Sequence, residues 1–416
     1  MSGQHVVVVG GGIIGLSSAY HLLRRGARVT LVERDGFDNS ASTGNAGFIV
    51  LGHPPLPRPG LTRQALRMLL DPANPLYVPP RFDPALFRWL WRFRAACNER
   101  QFHHAMDVLA RLGHVAGEAF DWIVAEEALD CAYHRDGWLE VFQTQPRLDQ
   151  ARHEVEILQR YGYRFDEIPG ERLRDEEPAF RDNVLAAIRY NDSGAADPGR
   201  CVAQLAQRLA QRGATVRTGV AVKRIVIERG AARGVELDDG QRLDAEHVVL
   251  AAGIWSRDLA RDIGVSVPMQ PAKGYHVNMT MPQPAVSTSC LLAEAFVAVN
   301  PTCNGLRLAG TLEFSGINHR IMQRRLDMLA TNARRFLHGL DDCQITSTWC
   351  GLRPCTADGL PVIGWAPRIE RLFLATGHAM LGFGLGPGTG RLVAEAICGE
   401  STSVDLTPLS PARHAR

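Results

Sequence analysis

Three glycines and one carboxylate carry the first chemical signal. Gly10, Gly12 and Gly15 stand in G-x-G-x-x-G, and Glu33 follows eighteen residues after the last of them. In a strand–turn–helix unit the first glycine permits a sharp turn. The second leaves room for a pyrophosphate against the backbone, and the third lets the helix pack close to the strand. The helix N-terminus then directs unpaired N–H groups and the positive end of its dipole at the phosphates. A carboxylate placed like Glu33 accepts hydrogen bonds from a ribose diol. Arg34 offers the alternative of greeting a 2′-phosphate, but with Glu33 intact the diol reading is stronger. The flanking pattern supplies the elements this chemistry needs. Val6–Val9 reads as a strand buried on both faces. Leu16, Ala19, Leu22 and Leu23 recur at helical spacing, Gly26 stops the helix, and Arg28–Val32 is a second strand ending at Glu33. A glycine-rich turn in an ordinary α/β domain is the rival reading, and the complete strand–helix–strand context disfavours it.

The totals narrow the class. A chain of 416 residues has room for two domains or one large composite. Its formal charge of +2 gives no reason to expect a nucleic-acid partner. The first apolar segment is the strand–helix unit itself, so no signal peptide is expected, and no run of about 18 apolar residues is present to span a membrane. Nine scattered cysteines without a C-x-x-C pair read as reduced thiols in a cytoplasmic protein. His103 and His104 are adjacent and no H-x-x-x-H occurs, so no metal site is expected.

Further along, the small and polar loop Asn39–Gly47 can bring backbone N–H groups and hydroxyls close to a phosphate or a ring. A proline-rich stretch from Pro54 through Pro72 to Pro84 leads out of the nucleotide unit, and 84–129 reads as helical. Within it Arg88, Arg92 and Arg94 alternate with Trp89, Trp91 and Phe93. Such a helix can lie on an anionic membrane, at the inner face if the protein is cytoplasmic. A core face with a solvated basic side is the favoured alternative. Later strands include Gly137–Gln143, the hairpin around Asp238-Asp239-Gly240, and Ala245–Ala252. The chain thus leaves the nucleotide-type sheet after two strands, returns near residue 200, leaves again, and returns at its C-terminus. That interleaving predicts an α/β, Rossmann-like cofactor domain from 1–55, 190–260 and 345–416. A discontinuous α+β substrate domain from 56–189 and 261–344 holds an antiparallel sheet and a helical insert.

Several motifs in order carry a resemblance: VVVVGGGIIGLSSAYHLLRRGARVTLVER, SASTGNAGFI, VVLAAGIWS, KGYHV, WCGLRPCTADGLPVIG and ATGHAMLGFGLGPGTGRL. Together they resemble the D-amino acid oxidase-type FAD oxidoreductases, most closely the D-amino acid dehydrogenase and glycine oxidase branch, over nearly the whole chain. The resemblance implies an ADP-binding set of Gly10, Gly12, Ile13, Ile14, Gly15, Glu33 and Arg34. It places Ser42, Asn45, Ala46 and Gly47 beside the pyrophosphate and the flavin ring, and Val222 with its backbone toward the adenine. Gly253 and Trp255 follow as contacts of the returning strand, and Gly382, Phe383, Gly384 and Leu385 face the flavin carbonyl. Arg353, in GLRP, corresponds to the partner of the substrate carboxylate. A guanidinium suits that role because it fixes a carboxylate with two parallel bonds and so aims Cα–H at flavin N5.

The implied reaction is oxidation of a D-amino or D-imino acid, with hydride passing from Cα to flavin N5 to leave an imino product. The C-terminal motif is similar to hydroxyproline-catabolic members, which favours D-proline or cis-4-hydroxy-D-proline. Tyr275 either covers the substrate or is a packed core tyrosine. His378 either tunes charge at the flavin or is structural. Two departures bear on the branch. Met380 stands where glycine oxidases carry a second arginine, and Gly351, with Cys350 beside it, stands where sarcosine oxidases attach the flavin. The expectation is therefore non-covalent FAD, with a quinone or another acceptor in place of oxygen. The rivals are a glycine or sarcosine oxidase using oxygen, and a flavin-binding electron-transfer subunit of a larger assembly.

Overall fold

The computed structural model describes residues 3–38, 40–61 and 74–414; Asn39 and Pro72, named above, lie outside the described residues. A six-stranded sheet is built around His5–Val9, which runs parallel to Arg28–Val32 on one side and to His247–Leu250 on the other. Thr215–Arg217 extends one edge in parallel, and Leu372–Thr376 with antiparallel Val362–Trp365 extends the other. Four consecutive buried valines suit a strand covered on both faces.

Helix Ile13–Arg24 follows the first strand, and Gly15 sets how closely it approaches. A Cβ on Gly15 would sit 1.8 Å from the Gly10 carbonyl oxygen. Helix Gly382–Ile397 crosses Ile13–Arg24 and Glu99–Glu126 at similarly short range. A Cβ on Gly388 would lie 2.6 Å from Ala116 Cα, and one on Gly390 2.4 Å from Ser17 C. Much of the glycine content of GFGLGPGTG therefore serves helix–helix contact.

The predicted antiparallel sheet is large. Its strand order is Ile345–Thr356, Met269–Met279, Gly305–Glu313, Val297–Thr302, Cys290–Leu292, Leu139–Phe142, Ala186–Tyr190 and Phe165–Pro169, with Leu76–Tyr77 added beside Gly305–Glu313. Ile345–Thr356 falls in the segment expected with the cofactor domain, yet it pairs along its length with Met269–Met279. GLRP thus lies on a strand of the large sheet. The long helical stretch divides in two, Pro84–Ala96 and Glu99–Glu126. Asp83 caps the first, and Asn98 caps the second through its Oδ1 to the Gln101 N–H at 3.0 Å.

Candidate active site

Between the two large sheets lies a cavity of about 430 Å³. At its phosphate end the first-turn N–H groups of Ile13–Arg24 have no intrahelical partner by construction, and Gly12, Ile13 and Ile14 line the wall. Ser42 Oγ accepts from the Ile13 N–H at 3.0 Å, tying the following loop to this turn. Glu33 is oriented by two backbone donors, Gly11 N–H at 2.6 Å and Asp35 N–H at 3.0 Å. A carboxylate has further lone pairs, so acceptor capacity for a diol remains. Arg34 pairs with Asp35 at 2.9 Å and lies over the Trp255 ring at 4.3 Å, closing that end. Its charge is thereby engaged within the protein, which suits a diol better than a 2′-phosphate. Val222, first residue of a three-stranded antiparallel sheet, lines the same end. Thr376 Oγ1 donates to the Gly253 carbonyl at 2.8 Å and fixes the turn after the returning strand.

The structure gathers Gly10, Gly12, Ile13, Ile14, Glu33, Arg34, Ser42, Asn45, Val222, Gly253, Trp255, Arg353, His378, Gly382 and Phe383 around this cavity. Gly15, Ala46, Gly47, Gly384, Leu385 and Tyr275 lie outside its lining. Gly15 serves packing, as above. The Ala46 carbonyl accepts from Asn300 Nδ2 at 2.8 Å, and the Gly47 N–H donates to Asn45 Oδ1 at 2.6 Å, so both brace the loop from behind. Gly384 packs on the Ile49 backbone, and Leu385 is buried.

Of the two readings of Tyr275, its place in the fold fits the packed core tyrosine. Its ring is 1 % exposed, and its hydroxyl donates to Glu313 Oε2 at 2.7 Å. Burial first, and that bond second, push the phenol well above its usual range. It is a core residue bound to an internal carboxylate and does not cover the cavity. His378 does line the cavity, but burial lowers its pKa to about 3, and Nε2 meets Thr389 Oγ1 at 3.0 Å. It is a neutral, hydrogen-bonded imidazole and brings no positive charge to a cofactor.

Arg353 is held by a device the sequence does not advertise. In the pairing of Met269–Met279 with Gly305–Glu313, Lys273 faces Glu313 and Tyr275 faces Gly310. Thr311 and Leu312 therefore share Gly274 as their opposite residue, which is a β-bulge. Thr311 has φ +68°, a costly conformation for a β-branched residue. Its carbonyl, turned out of the ladder, accepts from Arg353 Nη1 at 2.8 Å. Gly274 has no side chain in the way: a Cβ there would be 2.1 Å from Nη1. Arg353 has no carboxylate partner among the described residues, and burial lowers its pKa. Leu352 and Pro354 flank it in the cavity wall, with His319, Trp349 and Met380 nearby. Among the described residues no group of three His, Cys, Asp or Glu side chains could hold a metal ion.

Residues 5–396 match the family model for FAD dependent oxidoreductases, DAO. The chain belongs to this family. It is an FAD-binding oxidoreductase with the corresponding mixed α/β fold, and a cavity lined by the glycine turn and by a Glu33 carboxylate with spare acceptor capacity fits that dinucleotide. The chain is 31% identical to the D-amino acid dehydrogenase of Methylobacterium radiotolerans over 419 residues, covering 99% of this chain and 100% of that protein. A second such protein, from Methylobacterium nodulans, is also 31% identical at the same coverage. Among solved structures, glycine oxidase from Geobacillus kaustophilus superposes with a TM-score of 0.79 at 23% identity, covering all of both chains. L-proline dehydrogenase from P. horikoshii superposes with a TM-score of 0.76 at 20% identity, covering 100% of this chain and 98% of that one.

Proposed function

We propose that this FAD enzyme is a dehydrogenase of D-amino acids or D-imino acids. The observation that carries the reading is Arg353: a guanidinium in the wall of the cofactor cavity, bonded to a backbone carbonyl and, among the described residues, without an acid of its own. A buried cation left in that state costs stability, and an incoming carboxylate balances it with two parallel hydrogen bonds. The names of the full-length relatives point the same way. Bound FAD supplies the two-electron acceptor for the α-hydrogen. The protein's share is to fix the carboxylate at Arg353, to exclude water with Leu352, Pro354 and Phe383, and to present a neutral His378. No side chain is needed as a strong base if the substrate amine enters uncharged. Met380 in place of a second cation favours a less polar substrate, and we take this to be a cyclic one such as D-proline or cis-4-hydroxy-D-proline.

Anaerobic mixing of the holoenzyme with D-proline, cis-4-hydroxy-D-proline and their L-enantiomers tests the assignment. Bleaching of the flavin absorbance by a D-substrate supports it. An unchanged spectrum with every D-amino acid tried would overturn it. Slow re-oxidation in air with rapid re-oxidation by a dye separates a dehydrogenase from an oxidase.

The same proposal includes non-covalent FAD. Cys350 is buried, its Sγ meets the His319 carbonyl at 3.3 Å, and burial raises its pKa, so the thiol stays protonated and weakly nucleophilic. Acid precipitation is expected to leave a colourless pellet and a yellow supernatant; flavin retained in the pellet contradicts it.

It also includes contact with a membrane surface. No helix among the described residues is long and apolar enough to cross a membrane. Helix Pro84–Ala96 buries Leu86 and Trp89 but exposes Phe87 (54%) and Trp91 (75%), with Phe82 (90%) just before it and Arg88, Arg92 and Arg94 exposed alongside. That combination suits the headgroup region of an anionic bilayer. Co-sedimentation with vesicles containing phosphatidylglycerol is expected for the native protein and to weaken for the double variant Phe87→Ser, Trp91→Ser. Equal sedimentation of both would remove this face from consideration.

A further inference from the structure

The segment 314–322 joins strand Gly305–Glu313 to helix Gln323–Ala333 without regular structure of its own, yet it is tied down along its length. The Phe314 carbonyl accepts from Arg81 Nη1 at 2.7 Å. Asn318 Nδ2 donates to the Ser315 carbonyl at 3.0 Å, and its Oδ1 accepts from the Arg320 N–H at 3.2 Å. Lys273 Nζ donates to Asn318 Oδ1 at 2.7 Å and to the Arg320 carbonyl at 2.9 Å. Between those two anchors the His319 carbonyl accepts from Cys350 Sγ at 3.3 Å. Lys273 is 1 % exposed and pairs with Glu313 at 3.0 Å. Burying an ammonium is costly, and this one grips the chain on both sides of a single residue.

That residue, His319, lines the cofactor cavity. It is exposed, and among the described residues no hydrogen bond or ion pair reaches its ring. His378, the other imidazole of the wall, is instead engaged with Thr389 Oγ1 at 3.0 Å. His319 also stands in a fixed relation to Arg353. Cys350, which holds its carbonyl, belongs to the strand that carries Arg353. Thr311, whose carbonyl orients Arg353, stands two residues before Glu313 on the neighbouring element of the same sheet. One buried ion pair thus supports both groups, and it leaves the imidazole of His319 unengaged on a fixed backbone. The rest of that wall includes apolar Leu352, Pro354 and Met380.

We propose that His319 is the specificity-determining residue of this site, and that it hydrogen-bonds a hydroxyl which the substrate carries beyond its carboxylate. The proposal rests on the dehydrogenase reading and narrows its substrate to hydroxylated D-amino or D-imino acids. Arg353 takes the carboxylate in that reading, so His319 meets another part of the molecule. A neutral imidazole has one donor and one acceptor nitrogen, and a hydroxyl also both donates and accepts. The two therefore match in either tautomer. An unsubstituted ring offers the imidazole nothing. A second carboxylate would suit a planar, fork-shaped cation better than an exposed imidazole. Exposure limits the discrimination, because water competes for the same ring. A hydrogen bond of ordinary net strength then gives about a five- to tenfold preference.

Steady-state kinetics of the full-length holoenzyme on cis-4-hydroxy-D-proline and D-proline decide. The quantity read is the ratio of the two kcat/KM values, which a general disturbance of the site does not move. Wild type is expected to favour the hydroxylated substrate about five- to tenfold, mainly through KM. His319→Ala is expected to bring the ratio close to one. His319→Gln, which keeps a donor and an acceptor, is expected to recover part of the preference. An unchanged ratio in His319→Ala overturns the proposal, as does a wild-type ratio at or below one. Equal losses on both substrates would make His319 structural and overturn it too. D-glutamate preferred to both, with that preference lost in His319→Ala, would give the residue to a carboxylate and sink the hydroxyl assignment. If neither imino acid reduces the flavin, the dehydrogenase reading falls. The ratio of their Kd values, from perturbation of the flavin absorbance in wild type and His319→Ala, then judges His319 by the same criterion, and absence of binding by both counts against it.

Discussion

Arg353→Ala is expected to lose about 2–5 kcal/mol of transition-state stabilisation, roughly a 30- to 5,000-fold fall in kcat/KM, with FAD content unchanged. The size follows from its surroundings. The guanidinium sits between Leu352 and Pro354 in the cavity wall, and its bond to the Thr311 carbonyl uses a single N–H. Among the described residues its other N–H groups have no partner, so a substrate carboxylate gains a charged, bidentate partner. Arg353→Lys is expected to recover only part, since an ammonium cannot make the parallel pair. Gly274→Ala is expected to mimic the loss through KM, because the new methyl occupies the place of Nη1 and Nη2. Stability is expected to survive both changes: among the described residues the cation has no acid to strand, and the group displaced by Gly274→Ala is the end of a flexible side chain. Steady-state kinetics on both enantiomers, with thermal melting of each variant, check this. Unchanged kcat/KM in Arg353→Ala would mean that the arginine is structural and that substrate binds elsewhere.

The sequence reveals Arg353 but not what aims it. G-x-G-x-x-G, Glu33 and GLRP are legible because each demands particular residue types at fixed spacing, and the structure brings Gly10, Gly12, Glu33 and Arg353 to one cavity while Gly15 serves packing. The bulge at Thr311 is not legible, since nothing in a threonine announces a positive φ; tertiary pairing imposes it. Tyr275 illustrates the opposite difficulty. KGYHV alternates as a strand, so the side on which each residue falls depends on register. The pairing of Lys273 with Glu313 turns Lys273 and Tyr275 toward an internal carboxylate. Glu313 sits 38 residues later, and no local pattern links them. The C-terminal glycines mislead in another way. Their number suggests close approach to a cofactor, whereas Gly384, Gly388 and Gly390 face neighbouring backbone. Only Gly382 and Phe383 of the four residues assigned there line the cavity.

Glu313→Gln is expected to destabilise the fold by roughly 3–5 kcal/mol, the cost of breaking a buried ion pair from one side. Glu313 is 1 % exposed and faces two buried cations: Lys273 Nζ at 3.0 Å and Arg325 Nε at 3.8 Å. Tyr275 donates to its second oxygen. Among the described residues Lys273 would keep Asn318 Oδ1 at 2.7 Å and the Arg320 carbonyl at 2.9 Å, both neutral. The amide fits the space and can still accept from Tyr275, so the change isolates charge from shape. Acid should unmask the same interaction. Burial alone would raise the Glu313 pKa, but hydrogen bonds from Ser315, Tyr275 and Lys273 more than offset it and hold the carboxyl below its usual 4.5. A depressed folded pKa gives stability that is fully present above pH 4.5 and is lost as pH falls through the lower folded value. Urea unfolding of the wild type is therefore expected to steepen in its pH dependence below pH 4.5, and Glu313→Gln to lack that component. If the variant unfolds at the wild-type urea concentration at pH 7, the cluster contributes no net stability and the carboxylate's place beside the Arg353 bulge needs another explanation.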